Sequence, residues 1–273
     1  MTQKYIVFVL IVLGSHPGAL FGQWTFSEVV SRLSQEKAKL VSYRMTMHQT
    51  PIGESKSFAN CTWVEERSNI GDHHVIALIK RNANGDVISW GVRGRSDEVI
   101  IRGASDTGKL VIINRNETSS VEDLPKHLDW RIIGLGICGD VGDSFETVCT
   151  NISNWDKDFP DGKGVVFKNT KTGIECRQSD IRFVAEIADG FRILSFTRGS
   201  EPVPGFGKSN YSNWEVDYKK QKGIKLPSIS ILKCGLDSAK LECIWETVNE
   251  PLEIGPKTAD RFAKVLQKPK LGK

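Results

Sequence analysis

The chain has 273 residues, with 37 Lys plus Arg against 33 Asp plus Glu, a formal net charge of +4, 39% hydrophobic residues and 26% charged residues. This composition excludes a chain too polar and too charged to collapse, and no apolar run reaches the roughly 18 residues of a membrane-spanning helix. The length suffices for one large or two small domains with a real core, and so small a net charge does not by itself indicate a nucleic-acid partner.

Lys4 precedes the apolar run Tyr5 to Leu13, and Gly14-Ser15-His16-Pro17-Gly18 ends it. The run is too short to cross a bilayer and reads as a secretory signal peptide, residues 1–22, cleaved after Leu20-Phe21-Gly22. The mature chain is therefore expected in a periplasmic or extracellular compartment, where disulfides form. Its six cysteines allow 15 pairings, and the expected set is Cys138 with Cys149, Cys234 with Cys243, and Cys61 with Cys176. The first two close short loops between expected antiparallel strands, and the third follows by elimination. No Cys-x-x-Cys or His-x-x-x-His spacing suggests a metal, and no cofactor motif is present.

Thr25-Phe26-Ser27-Glu28 fits a capping box, so a helix is predicted from here, with Phe26, Val29, Val30, Leu33, Ala38 and Leu40 on its apolar face. The period then changes to two. Val41, Tyr43, Met45 and Met47 alternate with Ser42, Arg44, Thr46 and His48, which predicts a half-buried strand ending near Pro51.

Further strands are predicted over 57–67, 74–81, 87–93, 98–102, 110–114, 164–168, 181–188, 191–197, 214–218, 227–234 and 241–248. Asn84-Gly85 and Asp189-Gly190 supply the positive φ that two-residue hairpin turns require. Short helices are predicted over 121–128 and 258–266. Without alternating strands and helices, a parallel sheet is excluded in favour of an α+β fold dominated by antiparallel pairing. Residues 23–266 read as a single domain and 267–273 as a basic tail. From Pro256 onward, Lys257, Arg261, Lys264, Lys268, Lys270 and Lys273 oppose Asp260, which reads as a solvated, partly disordered end, with weak contact to an anionic membrane as the alternative.

The order of elements resembles the outer-membrane lipoprotein carrier group, LolA-like and LolB-like. The opening helix runs straight into a long strand through Lys39 to Thr50, and antiparallel hairpins follow. Asp129-Trp130-Arg131-Ile132-Ile133-Gly134-Leu135 is similar to an Asp-x-Arg-x-x-Gly-Leu string in exported relatives of that group. Trp214-Glu215-Val216-Asp217, followed by Lys222-Gly223-Ile224-Lys225-Leu226-Pro227, resembles the late hairpin of the group, and the Asp189-Gly190 hairpin occupies the place of another. The resemblance implies an incomplete, strongly curved β-barrel closed by a few covering helices, around an apolar cavity that holds a lipid or lipoprotein acyl chain.

Tyr43, Met45, Met47, Trp63, Trp90, Phe183, Phe191, Trp214 and Trp245 lie in predicted strands. They could line such a cavity, Met supplying an adaptable surface and the aromatics contact area, or they could pack as a dry core. Alternation alone does not separate the two.

Motifs for catalysis are weak. Gly142-Asp143-Ser144 looks like a lipase-type nucleophile block, but no His follows His127, so it reads as a turn between Cys138 and Cys149. His73-His74, Glu65-Glu66 and Asp97-Glu98 are adjacent pairs that a strand sends to opposite faces. Gly134-x-Gly136 lacks the third glycine of a dinucleotide site. Asn-x-Ser/Thr triplets at Asn60, Asn116, Asn151 and Asn210 matter only in a host that glycosylates them. The expected function is a non-catalytic exported binder or carrier of an apolar ligand. The alternatives are an envelope interaction or sensor domain with a dry core and, third, an extracellular hydrolase.

Overall fold

The computed structural model describes residues 24–70, 73–95, 99–104, 110–114, 128–135, 144–158, 166–178, 180–200 and 211–252. The signal-peptide region, the helix predicted over 121–128 apart from Leu128, the helix predicted over 258–266 and the basic tail lie outside the described residues.

Helix α1 (Phe26–Ala38) leads into strand β1 (Ser42–Ile52). The next five strands are β2 (Cys61–Ile70), β3 (His73–Asn82), β4 (Val87–Arg95), β5 (Val99–Ala104) and β6 (Leu110–Asn114). A 3-10 turn (Trp130–Ile132) and helix α2 (Phe145–Asp158) interrupt the strands. The second series is β7 (Val166–Asn169), β8 (Gly173–Gln178), β9 (Ile181–Glu186), β10 (Arg192–Arg198), β11 (Ser212–Gln221), β12 (Ile224–Cys234) and β13 (Asp237–Val248).

All 13 strands form one open, curved antiparallel sheet in the order β6-β5-β4-β3-β2-β1-β13-β12-β11-β10-β9-β8-β7. The long β1–β13 ladder closes the two series of hairpins onto each other, so the first strand and the last become central neighbours.

The sequence periods account for most of these elements. Thr25 caps α1, its Oγ1 accepting from the Glu28 N–H at 3.1 Å. The return arm of the expected capping box does not form, because the Glu28 carboxylate pairs with Arg32 at 2.9 Å. Asp156 of α2 replaces it, accepting from the Phe26 and Ser27 N–H groups at 2.8 Å each. One helix thus terminates the free donors of the other. Phe26, Val29 and Leu33 are buried, as the period of α1 predicts, whereas Ala38 is exposed.

In β1, Tyr43, Met45, Met47 and Gln49 face the interior, and Arg44, Thr46 and His48 alternate with them. Gly85 (φ +82°), Gly190 (φ +90°) and the Lys222-Gly223 pair (φ +48° and +82°) turn three hairpins where the sequence places them.

Two elements differ from the expectation. Residues 145–158 are a helix, whose buried Phe145, Val148, Cys149 and Ile152 follow a helical period; expecting Cys149 in a disulfide hairpin hid it. Strand β8 was not predicted, since only Ile174 and Cys176 mark its inward face.

The disulfide pairings are also corrected. Cys61, Cys149, Cys176 and Cys243 are free, buried thiols, so none of the three expected pairs forms. Cys234 sits opposite Asp237 at the end of the β12–β13 hairpin, while Cys243 lies six residues further along β13. That is about 20 Å at the rise of a strand, far beyond disulfide reach. Cys61 and Cys176 stand on β2 and β8, seven neighbours apart in the sheet. Cys149 faces the helix layer, and Cys138 lies outside the described residues.

Gly173 permits the tightest backbone approach in the sheet. A Cβ there would lie 1.9 Å from the Ala185 carbonyl oxygen. Gly173→Ala must push β8 off β9, and we expect a loss of about 2–4 kcal/mol, measured as the shift in urea midpoint by tryptophan fluorescence. A change of only a few tenths would show that this ladder yields easily.

Candidate functional site

The candidate site is the hollow under α1 and α2, bounded by the inward face of β1, β2 and β13. The register sets Met45 beside Glu65, Met47 beside Trp63 and Gln49 beside Cys61 on β2. On the other flank Met45 lies beside Trp245, Met47 beside Cys243 and Gln49 beside Leu241 of β13. A sheet sends alternate residues to one face, so these side chains form one continuous wall.

Residues 129–135 plug this hollow. Asp129 starts the 3-10 turn, its Oδ1 accepting from the Arg131 N–H at 3.0 Å, and its carboxylate also holds the Arg131 guanidinium, with Nη2 to Oδ2 at 2.6 Å. Arg131 then reaches Glu146 of α2 through Nη1 at 2.7 Å. Burial favours a protonated Asp129, but the hydrogen bonds and charge of Arg131, with Arg67 beyond it, outweigh burial and hold the carboxyl below its usual range. The three charges pin the turn to the helix layer.

The pinned turn drives Trp130 inward. Its indole stands edge-on to Tyr43 and Trp245, with centroids at 5.8 and 4.9 Å, and Nε1 donates to the Tyr43 hydroxyl at 2.7 Å. Tyr43 in turn donates to Glu65 Oε1 at 2.5 Å, and Arg67 flanks that carboxylate at 3.6 Å. Burial, then the Glu65 charge, pushes the Tyr43 phenol well above its ordinary range, so it stays a donor. Ile132, Ile133 and Leu135 are buried behind Trp130. Gly134 (φ +88°) brings the chain against Val216, whose Cγ2 would lie 3.2 Å from a Cβ there.

The residues expected to line a cavity divide as follows. Tyr43, Met45, Met47 and Trp63 meet on the wall just described, and Trp245 is partly buried against them. Phe183 packs elsewhere in the same core, stacked on Phe196 at 6.0 Å, and Phe191 stacks on Trp24 at 5.9 Å. Trp214 is fully buried on β11. Trp90 belongs to β4, but its side chain is outside those described. The indole N–H groups of Trp24, Trp63 and Trp214 and the Arg67 Nε are buried without a hydrogen-bond acceptor among the described residues.

The Asp129–Leu135 string shows no task in the sequence alone, and Lys37 is not among the sequence-predicted site residues. That ammonium lies over the Trp130 ring, 4.6 Å from the centroid, and burial lowers it to about 8. The signal for it was faint: one lysine one turn from the end of an amphipathic helix.

The catalytic candidates of the sequence serve other ends. Ser144 Oγ accepts from the Thr147 N–H at 3.1 Å as α2 begins, and Gly142 and Asp143 lie outside the described residues. Glu65 and Glu66 do point to opposite faces, Glu66 accepting from Arg44 at 2.8 Å. The side chains of His73 and His74 are outside those described. Among the described residues no group of three His, Cys, Asp or Glu could hold a metal ion, and no helix is long and apolar enough to cross a membrane.

No family model and no curated protein matches the chain. Solved structures similar to it include a LolA superfamily protein from Nitrosomonas europaea, at 9% identity and TM-score 0.38, covering 84% of this chain and 96% of that one. The lipoprotein LppX of Mycobacterium tuberculosis matches at 9% identity and TM-score 0.29, over 84% and 98% of the two chains. A DUF1329 family protein from Desulfovibrio piger matches at 8% identity and TM-score 0.40, over 87% and 97%. At such scores the likeness is one of outline, and function has to be read from this chain's own side chains.

Two outcomes follow from these contacts. Tyr43→Phe deprives Trp130 of its acceptor and Glu65 of a donor while preserving shape, and should cost about 1–3 kcal/mol in urea unfolding. No loss would mean that the network does not hold the plug. Burial raises Cys149 to about 11 and Cys176 and Cys243 to about 12. At about pH 8 iodoacetamide should leave these three unmodified in the native protein and alkylate them in concentrated urea, as read by intact mass; fast native alkylation would contradict the packing.

Proposed function

We propose that the chain is an exported, non-catalytic binder or carrier of an apolar ligand, a lipid or lipoprotein acyl chain. The observation that carries this reading is the plug. The inward face of the sheet is covered by two helices and one short turn, and the turn is held by a few polar contacts around Trp130. A lining of Tyr43, Met45, Met47 and Trp63 suits an acyl chain once Trp130 withdraws, and the unpartnered indole donors of Trp63 and Trp214 could meet ester oxygens there.

Exchange is energetically feasible. Exposing Trp130 and its apolar neighbours is unfavourable, but each methylene of an incoming chain returns about 0.8 kcal/mol. Plug-filled and ligand-filled states can therefore lie close in free energy, and ligand shifts the population between them. The basic end beyond Pro256 would bring the carrier to an anionic bilayer.

The second reading, an envelope interaction or sensor domain with a dry core, is favoured by the tight filling of the hollow. The pocket beside α1 offers only about 20 Å³, room for one water. Native mass spectrometry of the mature protein, followed by organic extraction, separates the two readings. A carrier should release lipid, and Trp130→Ala should raise its uptake of 1-N-phenylnaphthylamine. A folded protein that releases no lipid and takes up no dye, with or without Trp130, would leave only the dry core.

A further inference from the structure

The pocket beside α1 holds an uncompensated positive charge. Glu36, Lys37, Trp130, Arg192 and Lys225 contribute its polar rim. Glu36 is engaged by Lys39 at 2.6 Å, Arg192 by Glu186, and Lys225 by Asp189 at 3.3 Å. Lys37 has no ion pair and no hydrogen bond among the described residues; it rests only on the face of Trp130. Asp129, the acid whose field it feels most, is already held by Arg131.

An ammonium partly withdrawn from water without a partner costs free energy, which its contact with the Trp130 ring only partly offsets. The lowered Lys37 pKa expresses that cost. Immediately beside the ammonium, the same pocket is apolar through Leu40, Phe191 and Leu226, all buried. The arrangement is that of a site for a molecule with one anionic end and one hydrocarbon end.

We propose that this pocket takes the anionic end of a single-chain amphiphile, a carboxylate or a phosphate monoester, with the Lys37 ammonium as counter-ion and the chain entering along Leu40, Phe191 and Leu226. The inference rests on the carrier reading and deepens it, because it adds a polar end group to the ligand. An incoming anion completes the charge balance of the rim and removes the cost of the bare ammonium. The roughly 20 Å³ open beside α1 holds a water and not the end group, so Trp130 withdraws as the ligand enters, while the neighbouring cations, already paired, add a favourable field.

The test uses the full mature chain and three probes that share an oleyl chain: oleate, oleyl phosphate and oleyl alcohol, each below its micelle-forming concentration. Displacement of 1-N-phenylnaphthylamine reports binding. The anions should displace the dye at concentrations about tenfold lower than the alcohol does. Lys37→Met should abolish that gap while leaving the alcohol unchanged, and Lys37→Arg should keep it.

A gap for oleate alone identifies a fatty acid and a gap for oleyl phosphate alone a lipid phosphate; either supports the site. Equal displacement by all three in the wild type, or a gap that survives Lys37→Met, overturns the inference and leaves the carrier reading standing. If neither dye nor probe binds, both fail. Should Lys37→Met not fold, limited acetylation of the wild type decides the question. Oleate should protect Lys37 from acetic anhydride and the alcohol should not, and absence of protection overturns the site.

Discussion

The insertion of Trp130 between Tyr43 and Trp245 is the contact on which the interior depends. One indole fills the hollow of the sheet, saturates its own N–H on the Tyr43 hydroxyl and offers its opposite face to the Lys37 ammonium. Through Tyr43 it reaches the buried Glu65, and through its chain neighbours Asp129 and Arg131 it is tied to Glu146 on α2. Both helices, the turn and the three central strands thus meet at a single side chain. An aromatic with one polar atom suits this place, because it contributes large apolar contact while satisfying its donor.

The polar groups around Trp130 make the closure specific. A buried carboxylate or phenol without partners is costly, so the Tyr43–Glu65 and Asp129–Arg131 contacts form together or leave a penalty behind. Such a network favours one seating of Trp130 over displaced ones. A purely apolar plug could slide through intermediate positions. The buried indole donors of Trp63 and Trp214 find no acceptor among the described residues.

Much of the fold was legible from local pattern. Helix α1 follows from its apolar period and Thr25, β1 from the alternation of Tyr43, Met45 and Met47, and two hairpins from Asn84-Gly85 and Asp189-Gly190. Helix α2 carried an equally regular period at Phe145, Val148, Cys149 and Ile152, but the assumption that Cys149 belonged to a disulfide hairpin concealed it. Cys234 is disulfide-bonded, but none of the three expected pairings forms. Pairing needs Cα atoms within about 7 Å, and the sheet holds Cys234 apart from Cys243 and Cys61 apart from Cys176. Of the candidate lining, four wall residues on β1 and β2 share a face, and Phe183 and Phe191 pack in other parts of the core.

The sequence by itself determined the α+β class, the antiparallel hairpins and which side of β1 is apolar, because period and turn chemistry depend on residues only a few positions apart. Tertiary structure alone decided that β1 pairs with β13, that the Asp129–Leu135 string enters the hollow and that Lys37 lies unpaired on Trp130. Trp130 and Tyr43 are separated by 87 residues. Nothing in the neighbourhood of either announces the other; they meet because the sheet curves and closes the first strand against the last.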